Sequence, residues 1–302
     1  MCGMNYNYRY RLDPTESQRE TLDYHRDTCR QLYNHALHRF NQIPENEGTV
    51  KQRVRQIRDE LPDLKEWWGE LTDVYSKVLQ PTVMRIAHNI KSLGKLKNQG
   101  YSVGQLRWKS PQEFRSFTYN QSGFKLDKKS GQTVLSLSKL ADIPIELHRP
   151  LPDDATTKEV TLKKETTGEW FAIFGIELDC DPPTKPSPVE LDGDEIVGLD
   201  VGILKYTHDT DGTAVESLDL SAERERLERE QGTLSRKEYG SANWEAQRQK
   251  VAECHQRIKR KRRDFLHKLS TYYACEYNLV AVEDLDVKRM MALLKSSASD
   301  IF

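Results

Sequence analysis

The chain has 302 residues, with 46 lysines and arginines against 47 aspartates and glutamates and a formal net charge of −1. A single hydrophobic core stops growing at roughly 250 residues, so we expect more than one domain. The longest nearly apolar run, Trp170 to Ile176, is far shorter than the ~20 residues that a membrane-spanning helix needs, and the N-terminus carries no export signal. These features argue against a membrane partner and predict a cytoplasmic location.

The cysteines are few and widely spaced, at positions 2, 29, 180, 254 and 275. This spacing argues against a disulfide framework and against a CxxC zinc knuckle, so we expect reduced thiols. The charge is unevenly distributed, because residues 248–268 carry nine lysines or arginines against Glu253 and Asp264, whereas residues 192–219 are strongly acidic. A neutral total can hide faces of opposite charge, so nucleic acid stays among the candidate partners.

The N-terminal third predicts a strand and then a helical unit. Tyr6 to Leu12 is rich in aromatic residues, as a short strand is, and the DPTE motif that follows predicts a capped helix with Pro14 at its first position. Apolar residues recur at helical spacing from Leu22 onward, with an interruption expected at Pro81. We therefore predict a helical unit over 13–100.

From Tyr101 the sequence changes to short segments rich in aromatic and β-branched residues, which predict the strands of a small β-barrel. If residues 1–12 pair with these strands, the helical unit is an insertion into a β domain formed by 1–12 and 101–190. Four prolines between Pro182 and Pro188 are typical of a stiff linker. We place a domain boundary there.

Residues 191–302 predict a second domain. The segment EIVGLDVGILKYTHDTDGTAVESLDL predicts an antiparallel meander of three strands with a DTDG hairpin. Helical spacing then predicts a helical hairpin at 221–275, and NLVAVEDLDV predicts a buried strand that ends in acids. The predicted fold class is therefore α+β and multidomain.

Two carboxylates stand among apolar strand residues, Asp200 in GLDVG and Glu283 in VAVED, where an unpaired buried charge costs several kcal/mol. If their strands are parallel neighbours, the carboxylates meet at one edge of the sheet, and Gly202 leaves room for a close approach. Convergent carboxylates bind Mg²⁺ or Mn²⁺, which can activate water against a phosphodiester. Either acid alone is more often a cap or turn residue, but together, in this strand order, they predict an RNase H-like nuclease.

Two segments combine features of nucleic-acid contacts. A basic helix face gains salt-dependent affinity for phosphates, although it can equally be a solvated face; its residues are Arg248, Lys250, Arg257, Lys259, Arg260, Lys261, Arg262, Arg263, His267 and Lys268. Cations also alternate with aromatic residues from Arg107 to Gln121. RNA-binding surfaces show this mixture, because bases stack on the aromatic rings while the cations contact phosphates. The candidates in that segment are Arg107, Trp108, Lys109, Arg115 and Gln121, whereas Phe117 and Tyr119 share one strand face and are expected in the core.

Successive blocks of the sequence resemble the TnpB (OrfB) family of transposon-encoded, RNA-guided DNA endonucleases, in family order and over nearly the whole chain. They are VYSKVLQPTVMRIAHNI, FRSFTYNQSGFKL, GLDVGILKYTHDTDG, LSRKEYGSANWEAQRQKVAECHQRIKRKRRDFLHKLS and VAVEDLDVKRMM. The resemblance implies a β-barrel wedge domain with a helical recognition insertion and an RNase H-like (RuvC-type) nuclease domain. Asp200 and Glu283 match its first two catalytic acids, which bind Mg²⁺.

The same resemblance implies two nucleic-acid partners, a guide RNA transcribed from the transposon end and a double-stranded target DNA. The target is recognised beside a short motif, and Lys77 and Gln80 match the family segment that reads it. Gln can pair bidentately with adenine.

The sequence also departs from the family pattern. Family members continue into a zinc ribbon with paired CxxC motifs and then a third catalytic Asp, whereas this sequence stops at Phe302 with neither. Asp284 and Asp286 have the opposite strand parity from Glu283, so we do not propose them as substitutes. We expect an incomplete nuclease domain without the zinc site and without cleavage by this chain. A nuclease-inactive RNA-guided DNA-binding protein and a truncated relic are the alternatives.

Overall fold

The computed structural model describes residues 4–129, 131–180, 184–202 and 205–283. The chain divides into two compact units, unit 1 spanning 1–182 and unit 2 spanning 183–302. The division falls within the proline-rich segment of the sequence. None of the described helices combines the length and the apolarity that crossing a membrane requires.

Unit 1 contains a curled sheet. Its strands are β1 (Met4–Leu12), β2 (Ser116–Asn120), β3 (Phe124–Lys129), β4 (Gln132–Leu137), β5 (Ile143–Glu146), β6 (Ala155–Lys164) and β7 (Trp170–Leu178). In the described residues the strand order is β2-β6-β7-β1-β5-β4-β3. Among the described residues the outer strands β2 and β3 are not paired with each other, so the closed ladder of the predicted barrel is not formed there.

The N-terminal strand belongs to this sheet because β1 pairs antiparallel with β7 over its whole length and with β5 at its end. Burial alternates along the strands, as expected where one sheet face covers a core. In β7 the buried positions are Trp170, Ala172, Phe174 and Ile176. Phe117 and Tyr119 of β2 are buried as predicted, and the Tyr119 hydroxyl donates to the Ser138 carbonyl oxygen at 2.8 Å.

The helical segment of unit 1 lies between β1 and β2 along the chain. Its helices are α1 (Glu16–Gln42), α2 (Val50–Asp59), α3 (Leu61–Trp67), α4 (Glu70–Asp73) and α5 (Ser76–Asn98). The apolar positions predicted on α1, from Leu22 to Leu37, are buried in the core that the helices share with the sheet.

Two details of these helices differ from the prediction. Thr15 caps α1 through a capping box with Gln18, so Pro14 precedes the cap instead of holding the first helical position. Helix α5 also continues through Pro81. Proline lacks the N–H that would donate to the carbonyl four residues earlier, here that of Lys77, so the helix loses one hydrogen bond near its start.

Unit 2 contains a smaller sheet and a helical hairpin. The strands are β8 (Ile196–Val201), β9 (Lys205–Asp209), β10 (Ala214–Glu216) and β11 (Leu279–Val282), and the hairpin consists of α6 (Ser221–Ser235) and α7 (Ala242–Glu276). In the described residues the order is β10-β9-β8-β11. The first three strands form the predicted antiparallel meander, and β11 is parallel to β8.

Two tyrosines at the end of α7 connect this helix to the β9–β10 hairpin. The Tyr273 hydroxyl donates to Oδ2 of the buried Asp209 at 3.0 Å, and the Tyr277 hydroxyl donates to Oδ2 of Asp211 at 2.5 Å. Asp209 also accepts a hydrogen bond from the Thr213 N–H at 2.7 Å. These contacts fix the point at which α7 leads into β11.

Candidate functional site

The predicted acids of unit 2 occupy the same end of two paired strands. Strands β8 and β11 are parallel neighbours, with Val282 opposite Leu199 as the last registered pair. Asp200 and Glu283 each follow directly after that pair. The parallel pairing of their strands is as the sequence predicted, and it places both acids at the carboxyl edge of the sheet.

Their environment differs from the prediction, because both acids are exposed and not buried. The strand ends around them are also open, with Val201 47% and Val282 63% exposed. The acids lie past the last apolar pair of the sheet, so no burial cost has to be compensated. Among the described residues neither carboxylate has a hydrogen-bond or salt-bridge partner, which leaves their oxygens free for a ligand.

The glycine near Asp200 has a structural role. A Cβ added at Gly202 would come within 3.1 Å of the Lys205 backbone oxygen, and the Gly202 N–H donates to the Tyr206 carbonyl at 3.3 Å. The space beside Gly202 is therefore occupied by the returning backbone of β9. The close approach that we predicted for a backbone or a ligand is made by the backbone.

Sequence analysis missed one neighbour of the acids. Asp200 lies directly opposite His208 of β9, and His208 is exposed. Because residues that face each other across a ladder project from the same sheet face, His208 shares a face with Asp200. The alternation of KYTHD, in which Thr207 and Asp209 are buried, was the sequence signal that could have found it.

The donor set at this edge suits a hard cation. Mg²⁺ is usually held by one or two carboxylates together with water and substrate phosphates, and Asp200 and Glu283 provide two carboxylates. No cluster of three or more His, Cys, Asp or Glu side chains able to hold a metal occurs in the described part of the chain. The two acids therefore fit a magnesium ion that completes its coordination with water and phosphate oxygens.

The basic segment on α7 is divided between two environments. Arg257 and Lys261 form salt bridges with Glu223 of α6, the Arg257 Nε lying 3.4 Å from the carboxylate. The hydrogen bond from Lys261 lowers the pKa of Glu223 below its usual range. These two cations pair with α6 and so stabilise the hairpin; that they also contact nucleic acid stays a prediction.

Other cations of α7 line an open groove of about 790 Å³. Lys259, Arg262 and Arg263 contribute its charge, His267 also lines it, and Ile258 and Leu266 contribute apolar surface. Leu266 is 45% exposed, whereas Cys254 and Ile258 are buried. Nearer the helix ends, Arg248 pairs with Glu245 and Lys268 with Asp264, while Lys250 and Arg260 are exposed.

In unit 1, side chains of α1 make hydrogen bonds to the backbone of the segment that begins at Arg107, which we predicted to contact nucleic acid. The Asn34 side chain accepts from the Lys109 N–H at 2.8 Å and donates to the Lys109 carbonyl at 2.9 Å. Arg26 donates to the carbonyls of residues 111 and 114. As a result Arg107, Trp108 and Arg115 are exposed on an anchored segment.

The start of α5 meets the turn between β2 and β3. The Tyr75 hydroxyl lies 3.1 Å from the Ser122 hydroxyl, and the Tyr75 ring stacks on Tyr119. Lys77 and Gln80 are half-buried on the first turns of α5, and Gln121 is exposed on that turn. The structure thus places these three predicted contacts on two elements that touch.

Comparison with family models gives two matches. Residues 178–294 match the OrfB IS605 model, described as "Probable transposase", and residues 1–48 match the accompanying model described as "Helix-turn-helix domain". The described residues 4–48 form β1, α1 and a short 3-10 turn, and not two short helices joined by a turn.

Two relatives and one solved structure extend the comparison. A protein of Streptomyces pristinaespiralis named "Putative RNA-guided DNA endonuclease" is 32% identical, over 94% of this chain and 68% of its own length. "Putative RNA-guided DNA endonuclease InsQ" of Escherichia coli strain K12 is 28% identical, over 97% of this chain and 69% of its own length.

The fold is similar to that of the protein in the cryo-EM structure of the Cas12f1-sgRNA-target DNA complex, with a TM-score of 0.54 and 11% identity over 90% of this chain and 66% of that one. The chain thus spans about two thirds of the length of the proteins it matches. The match of the OrfB IS605 model to unit 2 and the relative at 32% identity establish the family. This chain belongs to the TnpB (OrfB) family.

Proposed function

We propose that this chain carries the wedge and recognition parts and the first two catalytic acids of a TnpB-type RNA-guided DNA endonuclease. The observation that carries the proposal is the parallel register of β8 and β11, which sets Asp200 beside Glu283 at one exposed edge. The names of the two relatives, both RNA-guided DNA endonucleases, support the same activity.

An RNase H-like (RuvC-type) assignment of unit 2 is supported by the order of its elements. An antiparallel meander comes first, a helical hairpin follows, and the next strand returns parallel to the first strand of the meander. This order puts the first acid at the end of the central strand β8 and the second acid at the end of its parallel neighbour.

In the proposed site, Asp200 and Glu283 hold the divalent cation. Mg²⁺ or Mn²⁺, when bound, neutralises phosphate charge and activates water for hydrolysis of the phosphodiester. The protein contributes two fixed carboxylates on paired strands, and the hydrogen bond from Tyr273 to Asp209 steadies β9 behind them. His208 lies across the ladder from Asp200, where it can donate a hydrogen bond to a carboxylate or a phosphate.

The nucleic-acid contacts are proposed on both units. On α7, Lys259, Arg262 and Arg263 line a groove that suits the phosphates of a guide-target heteroduplex. In unit 1, the exposed segment around Arg107 suits RNA, and Lys77 with Gln80 suits the bases beside the target. Sequence specificity then comes from pairing with a guide RNA from the transposon end, while the protein supplies charge and shape.

A second candidate function is guided DNA binding without cleavage. It is favoured by one observation, that the described residues contain no cluster of three or more His, Cys, Asp or Glu side chains able to hold a metal ion. Guide pairing and backbone contacts alone would then hold the DNA.

One experiment tests both candidates. The full chain is expressed in cells that also transcribe the transposon end, RNA that purifies with it is sequenced, and a plasmid matching that RNA is offered with Mg²⁺. Both candidates predict an enriched transposon-end RNA and binding of matching DNA over scrambled DNA.

Cleavage that Asp200→Ala abolishes selects the endonuclease, whereas matched binding without cleavage selects the binding protein. Asp194→Asn, which removes an exposed charge just before β8, should leave either result unchanged. The absence of an enriched RNA contradicts both proposals.

A further inference from the structure

Aromatic rings form a strip along one flank of α1, which we call the aromatic strip: Trp67, Trp68, His35, His38 and Trp108. Trp67 and Trp68 stack at 5.7 Å, and the His35 ring lies 6.3 and 5.8 Å from their centroids. His38 is three residues after His35 and so lies on the same flank of α1. Its ring meets Trp108 edge-on at 6.4 Å.

The two ends of the aromatic strip are open to solvent. Trp67 is 67% and Trp108 is 64% exposed, while Trp68 and His35 are half-buried and fix the middle of the strip to the protein. A single exposed apolar side chain needs no explanation, but contiguous exposed rings mark an interaction site. The strip is therefore a preformed surface of flat rings with an anchored centre.

The backbone of the Trp108 segment is fixed as well. The hydrogen bonds between Asn34 and both backbone groups of Lys109 hold the residue next to Trp108 against α1. Arg107 on the other side of Trp108 is exposed. One end of the strip thus combines a fixed tryptophan with neighbouring cations.

The chemistry of the strip favours nucleobases. Unpaired bases stack on aromatic rings whatever their sequence, and cations beside the rings neutralise the phosphates. Burial lowers the pKa of His35, with Arg39 adding to the effect, which favours the uncharged form of the ring.

We propose that the aromatic strip binds an unpaired segment of RNA, with bases stacking on Trp67 and Trp108 and phosphates beside Arg107 and Lys109. RNA is favoured over DNA because RNA presents unpaired loops and ends, which proteins recognise by stacking, whereas a DNA target arrives as a duplex. This inference rests on the proposed function in taking nucleic acid as the ligand, and it adds a stacking site in unit 1.

The test uses the full chain and a labelled oligoadenylate RNA of about 12 nucleotides, a length within the range that stacking surfaces bind. Affinity is measured by fluorescence anisotropy and stacking by quenching of tryptophan emission. No divalent ion and no DNA target is present, so the result is independent of the acids at Asp200 and Glu283.

Two variant pairs separate stacking from packing. Trp67→Leu with Trp108→Leu keeps apolar side chains and removes the rings, and we expect Kd to rise by about tenfold or more. Trp67→Phe with Trp108→Phe keeps rings and should retain most of the affinity, which makes the test informative even if the leucine pair folds poorly. Tyr239→Leu, at an 84% exposed aromatic in unit 2, is the matched control and should bind as the parent does.

The proposal is overturned if the leucine pair, shown to be folded by circular dichroism, binds RNA as tightly as the parent. Loss of binding in the phenylalanine pair equal to that in the leucine pair also overturns it, because the rings are still present. Equal or tighter binding of the matching DNA oligonucleotide, or of an RNA duplex, overturns the choice of unpaired RNA.

Discussion

In unit 2, hydrogen bonds to the buried carboxylate of Asp209 hold β9 in place beside β8, the strand that carries Asp200. Asp209 is buried, and the carboxylate of a buried Asp needs partners because desolvation is costly. Tyr273 supplies one of its hydrogen bonds and the Thr213 N–H another. Asp211, one turn away along the hairpin, is exposed and accepts from Tyr277.

We predict that Tyr273→Phe lowers the free energy of unfolding by about 2 kcal/mol, since a hydrogen bond to a buried charge is lost. Tyr277→Phe is the matched control, because the same hydroxyl is removed from an exposed Asp. It should cost less than about 1 kcal/mol. Urea unfolding followed by circular dichroism measures both, and equal losses would contradict the assigned role of Asp209.

Glycine at position 123 is required by both its backbone and its neighbour. Its φ of +86° lies in the left-handed region, and an added Cβ would overlap the Tyr75 ring. Gly131 has a similar φ of +79° but open space around its Cβ position. Comparing substitutions at these two glycines therefore distinguishes the cost of backbone strain from the cost of steric overlap.

We predict that Gly131→Ala destabilises the protein by about 1 kcal/mol through backbone strain alone. Gly123→Ala should cost about 3 kcal/mol, because overpacking adds to that strain. Thermal unfolding of both variants checks the difference. Similar losses in the two variants would mean that Tyr75 moves away freely, and the contact between α5 and the β2–β3 turn would then be loose.

Among the elements, α1 contributes one face to the core of unit 1 and another to its surface. One face buries Leu22, Leu32 and Tyr33, while the neighbouring flank carries the aromatic strip and the anchors of the 107–115 segment. The helix also buries His25, and burial lowers the pKa of its imidazole to about 4. Asp73 opposes this effect in part.

This histidine predicts a pH dependence of stability. The folded-state pKa is below the ordinary value of 6.5, so between pH 6.5 and 4 the unfolded chain binds a proton that the folded chain does not. Stability should therefore fall as pH drops through this window, by up to about 3 kcal/mol. His25→Leu should remove that part of the dependence, and His88→Gln, at an exposed histidine of α5, should keep it.

Urea unfolding at pH 7 and at pH 4.5 gives the slope for each protein. The parent and His88→Gln should lose more stability than His25→Leu between the two values. Equal losses in all three proteins would show that His25 is protonated without cost in the folded state.

Periodicity predicted most elements, and it did so best where burial alone decides the pattern. The apolar face of α1 and the alternation of Phe117 and Tyr119 follow directly from residue type. The helix start at Thr15 was missed because two capping patterns overlapped in DPTE, and geometry decided between them. The exposure of Asp200 was also missed, since sequence alone does not tell where along a strand its apolar cover ends.

Contacts between residues far apart in sequence could not be predicted, and this limited what the sequence showed about the sites. His208 faces Asp200 only through the register of β8 and β9, and Arg257 and Lys261 meet Glu223 only through the fold of the α6–α7 hairpin. The aromatic strip joins residues far apart in sequence, of which only Trp108 was among the predicted contacts. In contrast, the pairing of the strands that carry Asp200 and Glu283 was predicted, because strand order and parity restrict it strongly.

At the scale of the whole molecule, the two units differ in their apolar cores. Unit 1 has a continuous core that includes the sheet and the helices. In the described part of unit 2 the buried apolar residues are few: Val197, Leu220, Cys254, Ile258 and Tyr273. Stability follows the apolar surface that folding buries, so unit 2 should be the less stable unit.

We predict that urea unfolding has two steps, with unit 2 unfolding first. Val197→Ala should shift only the step at lower urea, and Leu135→Ala, at a fully buried residue of β4, only the step at higher urea. Tryptophan fluorescence and circular dichroism follow the steps. A single transition that both variants shift equally would mean that the two units unfold as one.

The function proposed for the molecule depends on a cation-binding site that Asp200 and Glu283 share. A double-mutant cycle of Mn²⁺ binding tests for this shared site most directly. Mn²⁺ affinity of the full chain is measured by electron paramagnetic resonance for the parent, Asp200→Asn, Glu283→Gln and the double variant, with Asp194→Asn as the charge control. We predict that each single variant weakens binding by more than about tenfold, a loss that even outer partners of metal ligands produce. The double variant should lose little more than either single variant, because both acids hold one ion. Parent-like Mn²⁺ affinity in both single variants would contradict the shared site and the nuclease function built on it.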